Sequence, residues 1–135
     1  MSITYLDTSA FLKLLVQEPS SDDVRAAVTN VELWSSTLLA VEAHRAALRL
    51  GIPPEEVDHA LAAVTLVVPS ETTFMTARSI GTADLRTLDA FHLASALELG
   101  DDLGSLLTFD RRLAAAGDLA HLAILAPGMG PGWWI

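Results

Sequence analysis

The sequence predicts a three-layer α/β/α domain with a mainly parallel central sheet and helices over both faces. Three observations predict it. Short apolar, β-rich runs alternate along the chain with longer stretches of helical spacing. The runs "ITYLD" and "SLLTFD" each end on a carboxylate and then enter a helix, as parallel strands do when they finish at one edge of a sheet. No apolar run reaches about 18 residues, so no membrane span is expected.

Each element has its own signal. Residues 3–7 are apolar and β-rich, a first strand. "SAFLKLLVQ" has helical spacing and stops near Glu18-Pro19, where proline breaks the pattern. "SSDDVRAAVTN" offers serine and aspartate caps ahead of a short helix, and "ELWSS" is a short strand. "TLLAVEAHRAALRLG" reads as a helix that stops at Gly51. "PPEEVDHALAAV" starts with prolines and places acids in its first turn, which suits a helix dipole. "TLVVP" is a buried strand and "SETTFMTARSIG" a helix ending at Gly81. "TLDAFHLASALELG" is a helix with Gly100 as its stop. "SLLTF" is a strand, "DRRLAAAG" a short helix and "LAILAP" a last strand. Residues 1–127 form one domain, and 128–135 form a tail rich in glycine and proline. The tail's Trp133, Trp134 and Ile135 are expected to dock, on the parent domain as the plainer reading or on a partner.

Composition narrows the function. The chain has 135 residues, 51% of them hydrophobic, which suits one compact domain. The N-terminus lacks the basic region of a signal peptide, so a soluble cytoplasmic protein is expected. No cysteine is present, which removes disulfides, zinc–thiolate sites and thiol catalysis. The net charge of −9 argues against loose binding to nucleic acid, which needs a basic surface. It leaves room for a nucleic-acid enzyme whose acidic cluster contributes several of those charges. Lys13 is the sole lysine, so phosphate contacts would come from arginines and backbone amides.

Four acids stand in unusual places. Asp7 ends the first strand; it either caps the next helix or lies in a ligand site at the sheet edge, and Thr8 or Ser9 is available to cap instead. Glu42 is mid-helix among apolar neighbours, where an i,i+3 pair with Arg45 would contribute only ~0.2–0.5 kcal/mol. Asp89 opens an apolar helix stripe continued by Leu93 and Leu97, where a carboxylate is costly unless paired. Asp110 repeats the Asp7 arrangement after "SLLTF". Converging like charges would raise each other's pKa, and a divalent cation would remove that penalty. Hard cations such as Mg²⁺ or Mn²⁺ prefer oxygen ligands. The four histidines show no i,i+4 ligand pair, so zinc is not expected, and His92 is read as a core residue.

These residues carry a resemblance. "YLDTSAFLKL", "SSTLLAVEAHRA", "LRTLDAFHLASAL" and "LLTFDRRLAAAG" resemble, in order and separation, the motifs of a PIN domain, in particular the VapC-type toxins of bacterial toxin–antitoxin pairs. The likeness covers the chain to about residue 127. It implies a Rossmann-like, PIN-like fold and a metal-dependent endoribonuclease. By position it implies that Asp7, Glu42, Asp89 and Asp110 bind Mg²⁺ or Mn²⁺, Asp110 being the least constant ligand. Thr8, Ser9 and Thr108 would orient ligands or water. It also implies a homodimer and a cognate antitoxin that blocks the site; nothing transfers to the tail. The chemistry expected is hydrolysis of an RNA phosphodiester by metal-activated water. Asp7 and Asp89 would be the main ligands, within one metal's reach, and Glu42 a ligand or water-orienting base. Arg86, Arg111 and Arg112 flank two of the acids and are candidates for phosphate contact.

Other classes fit less well. A haloacid-dehalogenase-like phosphatase would carry a second acid two residues after Asp7, where Ser9 stands. A phospho-receiver domain would need a late-strand lysine, and Lys13 is misplaced for that role. The remaining alternative is a catalytically inactive PIN-like module that binds RNA or protein.

Overall fold

The computed structural model describes residues 2–135. The first half of the chain forms β1 (Ile3–Leu6), α1 (Thr8–Leu15), α2 (Ser21–Val28), β2 (Glu32–Ser36), α3 (Thr37–Leu50) and α4 (Pro54–Leu61). The second half forms β3 (Thr65–Val67), α5 (Glu71–Ala77), α6 (Thr87–Leu97), β4 (Leu103–Leu107), α7 (Arg111–Leu119) and β5 (Ile124–Leu125). A single 3₁₀ turn, Gly100–Asp102, leads into β4.

All five strands are parallel, in the order β3-β2-β1-β4-β5. The chain builds outward from β1 through β2 to β3, then returns to lay β4 on the other side of β1. In open α/β sheets such a reversal places a ligand crevice beyond the carboxyl ends of the two strands at the switch, here β1 and β4.

Strand side chains alternate between faces. Leu6 and Leu107 face a core made with Ala10 and Phe11 of α1, Val24 of α2, Leu39 and Ala43 of α3, and Val57 of α4. Tyr5 and Leu106 face the other way, onto Leu93 and Ala96 of α6 and Leu113 and Ala116 of α7. α5 packs on α6, where the Phe74 and Phe91 rings meet edge to face with centroids 4.8 Å apart. The result is the expected α/β/α sandwich. Burying a leucine such as Leu106 or Leu107 contributes about 1.5–3 kcal/mol.

Two glycines set helix positions. α3 ends at Gly51, whose φ of 72° is left-handed and costs glycine nothing. Gly117 lies inside α7, where a Cβ would come within 2.9 Å of both Ile124 Cδ1 and Leu106 Cδ2. Its absence lets α7 lie close on β4 and β5, which fixes where the start of α7 points.

The boundaries differ from expectation at the end of the sheet. β4 covers Leu103–Leu107 rather than 105–109. The backbone N–H groups of Phe109 and Asp110 bond to the Ser9 and Thr108 hydroxyls, so the chain leaves the ladder there. β5 shrinks to Ile124–Leu125. In the tail, Gly128 lies against α2's start, where a Cβ would meet Ser20 Oγ at 2.7 Å and Asp23 Oδ2 at 2.9 Å. Trp133 and Trp134 are half-buried, edge to face at 6.0 Å, and Ile135 is exposed.

Candidate active site

Asp7, Glu42, Asp89 and Asp110 come from four different elements and line one cleft of about 350 Å³, together with Ser9, Arg86, Thr87 and Leu88. The cleft lies at the switch between β1 and β4. Asp7 follows β1, Asp110 precedes α7 just beyond β4, Glu42 projects from α3, and Asp89 sits in the first turn of α6.

Asp7 is only 3% exposed and takes the capping role left open for it: it caps α1, accepting the Ala10 N–H at Oδ1 (3.1 Å). Neither Thr8 nor Ser9 takes that role. Ser9 Oγ instead donates to the Asp7 carboxylate (2.7 and 3.0 Å), and Thr108 Oγ1 donates to Asp7 Oδ2 (2.8 Å). An ionised carboxylate only accepts, which sets the direction of both hydroxyls, and each also accepts a backbone N–H. Phe109 N–H donates to Ser9 Oγ (2.9 Å), and Asp110 N–H donates to Thr108 Oγ1 (3.0 Å). Each hydroxyl therefore spends its one proton on Asp7. Thr8 Oγ1 is buried with no hydrogen-bond partner.

Glu42 does not form the surface pair with Arg45. It accepts from His92 Nε2 at 2.7 Å. His92 is buried, as expected of a core residue, yet it serves the cleft. Its Nδ1 lies 2.8 Å from the Tyr5 hydroxyl. A carboxylate only accepts, so Nε2 carries a proton. Burial pushes the Tyr5 phenol well above its usual range, so Tyr5 keeps its proton. The row Tyr5–His92–Glu42 thus ties the central strand to the cleft. Sequence reading did not find Tyr5, although the two-residue strand period places it on the same face as Asp7.

The electrostatics show crowding. Burial raises the Asp7 carboxyl, against the opposing effects of His92 and the hydrogen bonds from Ser9, Thr108 and Ala10. Burial, then the charges of Asp110, Asp7 and Glu42, push Asp89 up to about 6, with His92 opposing. Burial also acts on Glu42, but the hydrogen bond and charge of His92 outweigh it and hold Glu42 below its usual range. A cation in the cleft would relieve the repulsion at Asp89. The donor set is all oxygen, and both nitrogens of His92 are engaged within the protein. Among the described residues, no three of Asp, Glu, His or Cys are close enough to enclose one ion. An all-oxygen set suits a hard ion such as Mg²⁺, which takes one or two carboxylates directly and keeps several waters.

Arg86 lines the cleft as the residue before α6. Arg111 and Arg112 do not line it; they are exposed at the start of α7, and Arg112 lies 3.8 Å from Asp84.

A parallel sheet with carboxylates gathered at its switch point defines a class, and the comparisons agree: the model of the PIN domain matches residues 4–119, and the chain belongs to that family. Within the family it stands with the VapC-type proteins. It is 40% identical to Ribonuclease VapC46 of Mycobacterium tuberculosis, over 94% of this chain and 99% of that one. It is 34% identical to Ribonuclease VapC47 of the same organism, over 92% and 96%. A toxin–antitoxin complex from Klebsiella pneumoniae shares the fold, with a TM-score of 0.63 at 17% identity, covering 83% of this chain and 90% of that one.

Proposed function

We propose that this chain is an endoribonuclease that hydrolyses RNA phosphodiester bonds with the help of Mg²⁺ or Mn²⁺, as the toxin of a toxin–antitoxin pair. One observation carries the proposal: four acids from four elements line a single cleft at the topological switch. The names of the relatives, both ribonucleases, support the substrate, and the Klebsiella pneumoniae complex supports an antitoxin as partner. Asp7 and Asp89 would hold the cation, with Glu42 and Asp110 at its margin. When bound, such a cation lowers the pKa of water and steadies charge on phosphate. The protein supplies the rest. Ser9 and Thr108 fix the rotamer of Asp7. His92 keeps Glu42 ionised, and Glu42 orients the attacking water. Arg86 at the cleft edge contacts phosphate, and Arg111 and Arg112 are candidates for more distant contacts. We take residues 1–127 as the domain, a homodimer as the assembly and the cytoplasm as its place. No helix among the described residues is long and apolar enough to cross a membrane.

The test is cleavage of a labelled RNA by purified protein with Mg²⁺, with Mn²⁺ and with chelator. Cleavage that needs the cation and is lost in Asp7→Asn is the expected result. Cleavage that persists in chelator, or full activity in the variant, rejects the metal assignment.

A further inference from the structure

A second groove adjoins the cleft. It is lined by Thr8 and Leu12 of α1, by Glu42, Arg45, Ala46 and Arg49 of α3, and by Leu88 of α6. Glu42 and Leu88 line both, so the two spaces share a wall. The α3 residues fall at i, i+3, i+4 and i+7, a single stripe of the helix. Its two arginines are one turn apart, exposed, and without a carboxylate partner among the described residues.

That placement is unfavourable on structural grounds alone. Like charges at i,i+4 destabilise a helix. Arg49 gains from its position in the last turn of α3, but Arg45, mid-helix, does not. The chain has 17 acids available and only 8 basic residues, yet spends two of these on one unpaired stripe. An anionic strand entering the acidic cleft would be repelled by the four carboxylates and by a net charge of −9 unless guided locally. Guanidinium forks are suited to phosphate, which they meet in bidentate fashion.

We infer that the Arg45–Arg49 groove is the track for the RNA backbone next to the scissile phosphate, with each arginine contacting one phosphate. The inference rests on the ribonuclease reading. It makes Arg45 and Arg49 positioning residues, which set affinity without touching the reacting atoms.

The test uses the full chain on an Asp7→Asn background and a fluorescein-labelled single-stranded RNA of about 12 nucleotides, within the usual range of single-strand site sizes. Anisotropy gives affinity as a function of salt. Replacing both arginines, Arg45→Gln with Arg49→Gln, should weaken binding roughly tenfold or more at low salt and reduce the slope of log affinity against log salt by about 1.4, for two phosphates. The paired Arg→Lys variant should keep most of that slope. Equal loss in the Lys and Gln pairs overturns the inference, because packing rather than charge would then be at work. An unchanged slope in the Gln pair, with the unmutated protein cutting RNA, overturns this inference alone. If the unmutated protein neither binds nor cuts RNA, the ribonuclease reading falls first and the track with it.

Discussion

The ends of β1 and β4 carry the same local pattern and use it differently. Each strand stops, an aspartate follows, and the aspartate caps a helix: Asp7 through Ala10 N–H, Asp110 through Leu113 N–H at 2.9 Å. Asp7 is buried and takes three further hydrogen-bond contacts from two hydroxyls. Asp110 is half-buried and holds only its cap. The loop after β4 even works for the other end, since Thr108 donates to Asp7 while accepting from Asp110 N–H. A strand–acid–helix pattern therefore marks the sheet edge but does not rank the acids. The surrounding hydroxyls do.

Substitutions can break this asymmetry. The largest effect is expected at Asp7→Asn. Asparagine caps a helix about as well as aspartate, so folding should survive while cleavage falls below detection. Melting temperature measured beside an RNA cleavage assay checks both halves. Next come Ser9→Ala and Thr108→Val, which leave the acid but free its rotamer. Loss of an orienting partner typically costs about 10–100-fold in activity or metal affinity, readable as a raised Mg²⁺ requirement. Asp110→Asn should reduce cleavage less than either hydroxyl change. Asp110→Ala should add about 1 kcal/mol of instability through the lost cap, measured by urea unfolding. If Asp110→Asn proves as damaging as Asp7→Asn, the ranking by hydroxyl support is wrong.

The smallest expected effect is on stability, at Asp89. Its folded pKa of about 6 lies above the ordinary aspartate value of 3.8. Between these values the native state binds more protons than the unfolded one, so stability falls as pH rises through that window. The cost is fully present above about pH 6. In chelator, Asp89→Asn should therefore gain melting temperature relative to the unmodified protein as pH goes from about 4 to about 7. A constant difference across that range would show that the acids do not crowd one another.

Much of this was legible from residues alone. Strand and helix periods place all five strands and seven helices in order. The repeated strand-end aspartates point to one sheet edge. The partners inside the layer beneath were not legible. Glu42 looks in sequence like a surface pair with Arg45, because local spacing reports helix neighbours and not which helix packs opposite. His92 reads as core and is core, but only the packing of α6 on β1 brings its ring between Tyr5 and Glu42. The resemblance named Ser9 as a supporting hydroxyl, but its second partner was hidden, because only β4's loop, 100 residues on, supplies the N–H that Ser9 Oγ accepts.

The pairing of β1 with β4 has a consequence for how the protein comes into being. Thr108 reaches Asp7 across 101 positions of sequence. Loop closure over such a span must precede the contact, which makes it a late step in folding. During synthesis the amino-terminal half emerges with Asp7 and Glu42 but without the strand that completes the central pair. The carboxylate cluster is assembled only once β4 and the segment through Asp110 have left the ribosome, so a chain terminated before Asp110 lacks the complete cluster.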